Sequence, residues 1–318
     1  MRIVLLDSFA ADQGDTSWAE LRPLGEVMVY PRTPPRLVRE RCEGAQALLT
    51  NKVVLSDELM AALPDLRYVG VTATGTNVVD LDAAKARTIA VTNVPAYSTE
   101  SVAQLVFAMI LHFTFDVAGH DAAVKAGRWA QGPDFCFFLH PLQELAGKTL
   151  VVVGFGAIGK AVARIATGFG INVIAAQVPG SASADRVPLA QALPAADVVT
   201  LHCPLTPATR GLVDSRFLAA LKPGAILINT SRGPVVDEAA LRDALRAGHL
   251  GGVGLDVLAT EPPAADHPLL DKTAPWAARL IVTPHLAWGT VEARRRLATC
   301  VAANLAAFIA GDRLNRVA

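Results

Sequence analysis

Residues 148–159 read KTLVVVGFGAIG, and the fold turns on how this stretch is parsed. TLVVV is a short, continuous apolar run rich in β-branched residues, as expected of a strand buried on both faces. GFGAIG, 154–159, is an intact GxGxxG. Glycine at its first position permits a tight turn. At the second it lets the backbone approach a pyrophosphate, and at the third it lets a helix pack close to the strand. The following residues, AIGKAVARIATGFG, carry a helical pattern, and INVIAA (171–176) is again a strand. Strand, glycine spacing and helix in this order are the context in which the motif binds a dinucleotide, with phosphate charge at the helix N-terminus. Gly154, Phe155, Gly156, Ala157, Ile158 and Gly159 are therefore the first candidate cofactor residues.

Toward the C-terminus the same series continues through DVVTLH, AILINT, GVGLDV and LIVTP. A separate series precedes it: RIVLLD, EVMVY, QALLT, RYVGV and IAVTN, with helical patterns such as 56–63 and 81–86 between several of them. Asp80 and Asp82 read as helix caps. The alternation predicts an α/β fold with two doubly wound parallel sheets covered by helices on both faces. Between the series lies one helical region, about 98–127, then the irregular aromatic stretch WAQGPDFCFFLHP; a last helix runs roughly 290–310. The length of 318 residues suits two domains.

Lysine plus arginine and aspartate plus glutamate both count 29, so no basic excess points to nucleic acid. The most apolar stretch, SVAQLVFAMILHFTF (101–115), is interrupted by Gln104, His112 and Thr114 and falls short of a membrane span. The start, MRIVLLDSFAADQGD, reads as a strand rather than a secretory segment. Cys42, Cys136, Cys203 and Cys300 form no CxxC, which suggests neither zinc nor a disulfide framework and makes a reducing cytoplasm the expectation. His112, His120, His140, His202, His249 and His267 match no metal spacing and receive no chemistry, so no metal is expected.

Gln177 follows Gly159 by 18 residues, where an acid would bond the ribose 2′-hydroxyl and repel a 2′-phosphate. A glutamine can bond a hydroxyl but repels no phosphate. Ser181 and Ser183 can donate to a phosphate, and Arg186, nine residues on, is the nearest cation. NAD and NADP both stay open on this reading.

Three stretches carry the chemistry: LINTSRGPVVDEAAL (227–241), GLDVLATEPP (254–263) and TPHLAWGT (283–290). Arg232 follows a strand end, where its planar fork suits a carboxylate, or pairs with Asp237 or Glu238. His285 follows the strand LIVT and is a side chain suited to giving or taking a proton. Glu261 also follows a strand and offers a carboxylate. Together with LHCPLTPATRGLV (201–213), LTNKVVL, TATGTNVVDL, NVPAYSTESVAQL and the GxGxxG, these stretches resemble the D-isomer-specific 2-hydroxyacid dehydrogenases. PDFCFF resembles the glycerate dehydrogenase (hydroxypyruvate reductase) branch in particular.

The resemblance implies a Rossmann cofactor domain, 99–287, inserted into a flavodoxin-like substrate domain made of 1–98 and 288–318, with a hinge at the two crossings. It implies that Arg232 holds the substrate carboxylate and the reacting carbonyl, and that His285 and Glu261 meet in space as the proton donor and its support. Glu261 favours proton transfer, because formate-oxidising relatives carry glutamine there. On the substrate side it implies Thr74 and Gly75 through their N–H groups, with Lys52 adding positive charge. On the cofactor side it adds Gln177, Cys203, Pro204, Thr206, Thr230, Ser231, Asp256 and Trp288, with Asp256 at the nicotinamide carboxamide. The implied substrate pair is hydroxypyruvate and D-glycerate, with glyoxylate beside it, and the long helix from Ser98 to the stretch at Trp129 implies a homodimer. Two further readings are a nucleotide-sensing corepressor and a 3-phosphoglycerate dehydrogenase; the chain's ending at 318, without a tail or regulatory extension, argues against both.

Overall fold

Among the described residues eleven strands are formed, and every ladder between them is parallel. A computed structural model describes residues 1–181, 183 and 185–318. The chain divides into two compact units, Met1–Ser98 with Trp288–Ala318, and Thr99–Ala287.

The first unit holds β1 (Arg2–Leu5), β2 (Glu26–Val29), β3 (Ala47–Thr50), β4 (Tyr68–Val71) and β5 (Ala90–Thr92), in the spatial order β2-β1-β3-β4-β5. Side chains alternate across a strand, so consecutive apolar residues feed opposite faces. Ile3, Leu5, Leu49 and Tyr68 pack with Leu297, Val301 and Leu305 of the last helix, Val291–Ala310. Val4, Leu48 and Val69 pack on the other side with Met60 and Ala84. This double burial explains why the strands read as unbroken apolar runs. Asp80 caps the helix Leu81–Ala86 by accepting from Ala83 N, whereas Asp82 lies inside its first turn.

The second unit holds β6 (Thr149–Val153), β7 (Asn172–Ala176), β8 (Val198–Leu201), β9 (Ala225–Asn229), β10 (Leu250–Leu255) and β11 (Leu280–Val282). Their order is β11-β10-β9-β8-β6-β7, which reverses direction between β6 and β8. Val151, Val153, Leu227 and Val253 face helices bearing Phe217 and Leu241. Leu150, Val152, Ile226 and Ile228 face Val106, Ile110 and Val162.

The helical region expected over 98–127 is two helices, Thr99–Phe115 and Val117–Lys125, bent by 52°. Asp116 makes the break. It takes a left-handed conformation (φ 43°, ψ 57°) and accepts from Gly119 N, so its carboxylate starts a new helix instead of continuing the old one. Among the described residues no single helix is long and apolar enough to cross a membrane.

Candidate active site

Ligands of a parallel sheet gather outside the carboxyl ends of its strands, where the strand order reverses. The loops after β6, β8, β9, β10 and β11 all leave from that edge.

The loop after β6 is built for close contact. Gly154 has φ +101°, and a Cβ there would lie 2.5 Å from Cys203 N. A Cβ on Gly159 would lie 2.2 Å from Gly154 O, so the helix Ala157–Gly168 sits as close to β6 as the backbone allows. A Cβ on Gly156 would meet nothing within 4 Å. The helix start has no side-chain cap and no acid in its first turn. Two glycines thus close the turn and the third opens on free space beside uncapped N–H groups, which fits a dinucleotide pyrophosphate.

Gln177 stands just beyond β7, its N–H donated to Val187 O at 2.8 Å. Val187 returns its own N–H to Ala175 O at 3.0 Å. This return brings Arg186 back to the glycine loop, where its guanidinium carbon stands 4.8 Å from the centre of the Phe155 ring. Sequence distance gave no sign of that reach. Cys203 is buried, and burial pushes its thiol up to about 11, so it stays an unreactive thiol. Pro204 accepts from Thr209 Oγ1 at 2.6 Å, and Thr206 N donates to the same hydroxyl at 2.8 Å, which fixes the turn after β8. Beside them the imidazole of His202 is pushed down to about 3 by burial, with Nε2 2.9 Å from Thr200 Oγ1.

After β9, Asn229 pins the turn. Its side chain accepts from Ser231 N (3.0 Å) and Ser231 Oγ (2.8 Å) and donates to Arg232 O (3.0 Å). Thr230 Oγ1 lies 3.5 Å from His202 Nδ1. Arg232 is exposed and spends one donor on Ser231 O, at 2.7 Å. Its suggested acidic partners are engaged elsewhere. Asp237 caps a helix through Ala239 and Ala240 N, and Glu238 takes Ala259 N (2.8 Å) and His267 Nε2 (3.2 Å). Among the described residues Arg232 makes no ion pair, so most of its fork is open to an anion.

His285 and Glu261 meet: Nδ1 lies 2.6 Å from Oε2. The other oxygen of Glu261 accepts from Leu258 N at 3.0 Å, so the carboxylate cannot rotate freely. An ionised carboxylate only accepts, which puts the proton on Nδ1 and leaves Nε2 for chemistry.

Asp256 makes contacts within the fold that the sequence did not reveal. It is buried, and both oxygens face the His285 segment: Oδ1 accepts from Thr283 Oγ1 (2.6 Å) and Leu286 N (2.9 Å), and Oδ2 from Ala287 N (2.9 Å). Its backbone carbonyl takes His285 N at 2.8 Å. Burial raises its carboxyl above the usual range while the donors oppose that. His285 has φ 52°, which costs a non-glycine residue about 1–3 kcal/mol and holds only under such bonding.

The first unit contributes its own candidates. Thr74 N and Gly75 N have no acceptor among the described residues, while Thr74 Oγ1 is tied to Val94 O at 2.9 Å. Lys52 is exposed, on a loop gripped by Asp7, which accepts from the N–H groups of Asn51 (2.7 Å), Lys52 (2.5 Å) and Val53 (2.9 Å). Burial pushes the Asp7 carboxyl up against the pull of those three donors. Trp288 packs edge-on against Tyr97, centroids 6.3 Å apart, within the first unit.

The family model for the NAD binding domain of D-isomer specific 2-hydroxyacid dehydrogenases matches residues 107–287. The chain belongs to that family. It is 40% identical to a hydroxypyruvate reductase of Blautia hydrogenotrophica, over 100% of this chain and 99% of that one. It is 41% identical to a glycerate dehydrogenase of Methylorubrum extorquens, over 90% of this chain and 89% of the other. An NADPH-dependent glyoxylate/hydroxypyruvate reductase from Sinorhizobium meliloti, solved with NADP and malonate, superposes with a TM-score of 0.81 at 30% identity, covering 100% and 96% of the two chains. This D-2-hydroxyacid dehydrogenase is accordingly an oxidoreductase that uses a nicotinamide cofactor.

The histidines match no metal spacing along the chain, but the fold brings two of them together with an acid. The break at Asp116 and the returning segment at 139–141 bring His120 and His140 to Asp116, with one ligand atom of each within 4.8 Å of the others. Spacing rules read local sequence and do not see such a return.

Proposed function

We propose that this dehydrogenase reduces hydroxypyruvate to D-glycerate, accepts glyoxylate as a second substrate, and prefers NADPH. The oriented pair of His285 and Glu261, 2.6 Å apart, carries the reading, because ketone reduction requires a proton delivered to the carbonyl oxygen. The nicotinamide, when bound, supplies the hydride that adds to C2. Arg232 grips the substrate carboxylate and polarises the carbonyl with its unspent donors. His285 gives the proton of Nε2 to the carbonyl oxygen, and Glu261 holds the imidazole in position throughout. The N–H groups of Thr74 and Gly75 bind the substrate carboxylate as well, and Lys52 adds positive charge. In the reverse direction Nε2 takes the hydroxyl proton.

Two observations support NADPH. Gln177 repels no phosphate, and Arg186 lies over Phe155 of the glycine loop with its side chain 23% exposed. A guanidinium on a 2′-phosphate makes charge-assisted bonds worth about 1.5–3 kcal/mol, or roughly 10- to 100-fold in affinity, so it can release Asp185, its present partner. We also propose a homodimer through the segment 115–142, whose Phe115, Val117, Trp129, Phe135 and Phe138 are exposed, Phe135 at 88%. A reducing cytoplasm suits the four free cysteines.

Initial rates with NADH and NADPH against hydroxypyruvate, glyoxylate, pyruvate and 3-phosphohydroxypyruvate test the reading. Hydroxypyruvate with NADPH should have the highest kcat/KM, and Arg186→Ala should abolish the NADPH preference. His285→Ala should lose turnover while keeping cofactor affinity. Sustained turnover in that variant overturns the proton-transfer role.

A further inference from the structure

We propose that Asp116, His120 and His140 form a binding site for one divalent transition metal of the zinc class. None of the three belongs to the catalytic or cofactor machinery assigned above, and all lie in the segment proposed for the dimer contact.

The argument begins with the protons. His140 Nδ1 lies 3.2 Å from Pro141 O, and His120 Nδ1 lies 2.9 Å from Asp116 O. A carbonyl oxygen only accepts, so each Nδ1 carries a hydrogen, and in the neutral ring each Nε2 keeps a lone pair. His140 Nε2 faces Asp116 Oδ2 at 3.9 Å, where the neutral ring offers a second lone pair beside the carboxylate. A third imidazole, His112, sets its Nδ1 3.6 Å from Asp116 Oδ1. One carboxylate thus stands among three imidazoles, an arrangement that calls for a cation. Leu139 N lies 3.3 Å from His120 Nε2, a long bond that a metal would displace, and Gly119 N donates to Asp116 Oδ1 at 3.1 Å.

The second argument is orientation. Metal-bound histidines almost always donate the other ring N–H to a carboxylate, a backbone carbonyl or water, which fixes the tautomer and aims the free nitrogen. Both His120 and His140 already do so. Asp116 is fixed too: it caps the helix Val117–Lys125 through Gly119 N, and that helix carries His120 one turn further on. The His120 and His140 rings stand edge-on with centroids 5.7 Å apart.

The third argument is distance. Zinc bonds to histidine nitrogen and carboxylate oxygen are about 2.0–2.2 Å, which in a tetrahedron puts ligand atoms about 3.4 Å apart. The three donors fall within 4.8 Å of one another, so closure needs shifts on the order of 1 Å from partly exposed side chains. Two imidazole nitrogens and one carboxylate oxygen suit zinc, cobalt or nickel rather than magnesium or calcium. His112 or water completes the coordination. A bound ion would fasten the segment at 139–141 to the helix pair that Asp116 divides.

The test uses the full chain stripped of metal with a chelator. Calorimetric titration with Zn²⁺ should give one site per chain at micromolar free metal, and Co²⁺ should give the visible absorption of a tetrahedral site. His140→Ala and His120→Ala should each weaken binding by about 10-fold or more and abolish the cobalt spectrum. Both should keep 2-oxo acid turnover, which verifies that they fold. Absence of stoichiometric zinc binding in the parent chain overturns the proposal, as does binding that both variants leave unchanged. A cluster that titrates with protons but binds no zinc overturns it as well.

Discussion

Asp256→Asn asks what holds His285 in place. The carboxylate accepts three bonds from the segment it supports, from Thr283 Oγ1, Leu286 N and Ala287 N, at a residue only 1% exposed. Asparagine keeps one acceptor oxygen. If that oxygen serves Thr283 and Leu286, the new NH2 faces the Ala287 N–H, donor against donor and out of reach of water. Losing one charge-assisted bond and stranding two buried donors costs about 2–4 kcal/mol. The main-chain bonds of His285 N to Asp256 O and Thr283 O persist and hold part of the turn, so the lower end applies. If the loss is confined to the 283–287 turn, about 2 kcal/mol displaces His285 from its left-handed conformation in most molecules and lowers kcat by about 30-fold. The assay is steady-state turnover with both substrates saturating, paired with direct titration of the cofactor. A positioning residue lowers kcat and leaves cofactor Kd alone. The family resemblance instead puts Asp256 at the nicotinamide carboxamide; a direct contact of that kind raises Kd. An Asp256→Asn enzyme with parental kcat refutes the reasoning from hydrogen bonds.

Other perturbations test separate parts of the structure. Gly156→Ala should fold with an unchanged Tm but bind cofactor at least 10-fold more weakly, because its Cβ enters open space, whereas Gly159→Ala meets Gly154 O at 2.2 Å and should lower the Tm itself; equal Tm losses would show that the two glycines do the same job. His202 has a folded pKa of about 3 against 6.5 when unfolded, so the unfolded chain takes up the proton first and stability falls as pH drops from about 6.5 toward 3. The limiting slope is about 1.4 kcal/mol per pH unit for one proton, approached below about pH 5.5 where the unfolded histidine is protonated. Denaturant midpoints at pH 7 and pH 5 should show this slope and His202→Gln should flatten it; an unaltered slope in the variant removes His202 as its source. Asp7→Asn, which disturbs three bonds to the loop at 51–53, should raise the KM for the oxo acid several-fold more than it lowers kcat if Lys52 serves the substrate, and an unchanged KM would remove Lys52 from that role.

The strands were legible because parallel strands buried on both faces must be written in continuous valine, isoleucine and leucine, and residues such as Ile3 and Val4 feed opposite cores. The helical region at 98–127 was legible as helix, but its break was not. Asp116 is compatible with a helix interior, and only its left-handed backbone and the cap to Gly119 show that it begins a second one. Arg186 is the nearest cation along the chain, nine residues from Gln177, and its reach comes from a bridge between Ala176 and Val187 that folds the loop back. The resemblance implies Asp256 at the nicotinamide carboxamide, whereas its hydrogen-bond partners lie on the loop after the neighbouring strand, and the pairing of β10 with β11 is not written in local sequence.

The approach of the Arg232 loop to the loop that carries Glu261 rests on a glycine as well as on side-chain bonds. β9, β10 and β11 are neighbours in register, with Leu255 opposite both Asn229 and Val282, so their three loops leave side by side. Register alone does not make loops touch. The loop after β9 approaches the one after β10 so closely that a Cβ on Gly233 would lie 1.9 Å from Leu258 O. Leu258 is the residue whose N–H fixes Glu261, and Ala259 N–H is held by Glu238 from the helix that follows the Arg232 loop. The same few backbone atoms therefore carry both the carboxylate that orients the histidine and the loop that presents the guanidinium. A side chain at 233 would part the two loops without altering a single acid or base, and the chemistry would fail through spacing alone.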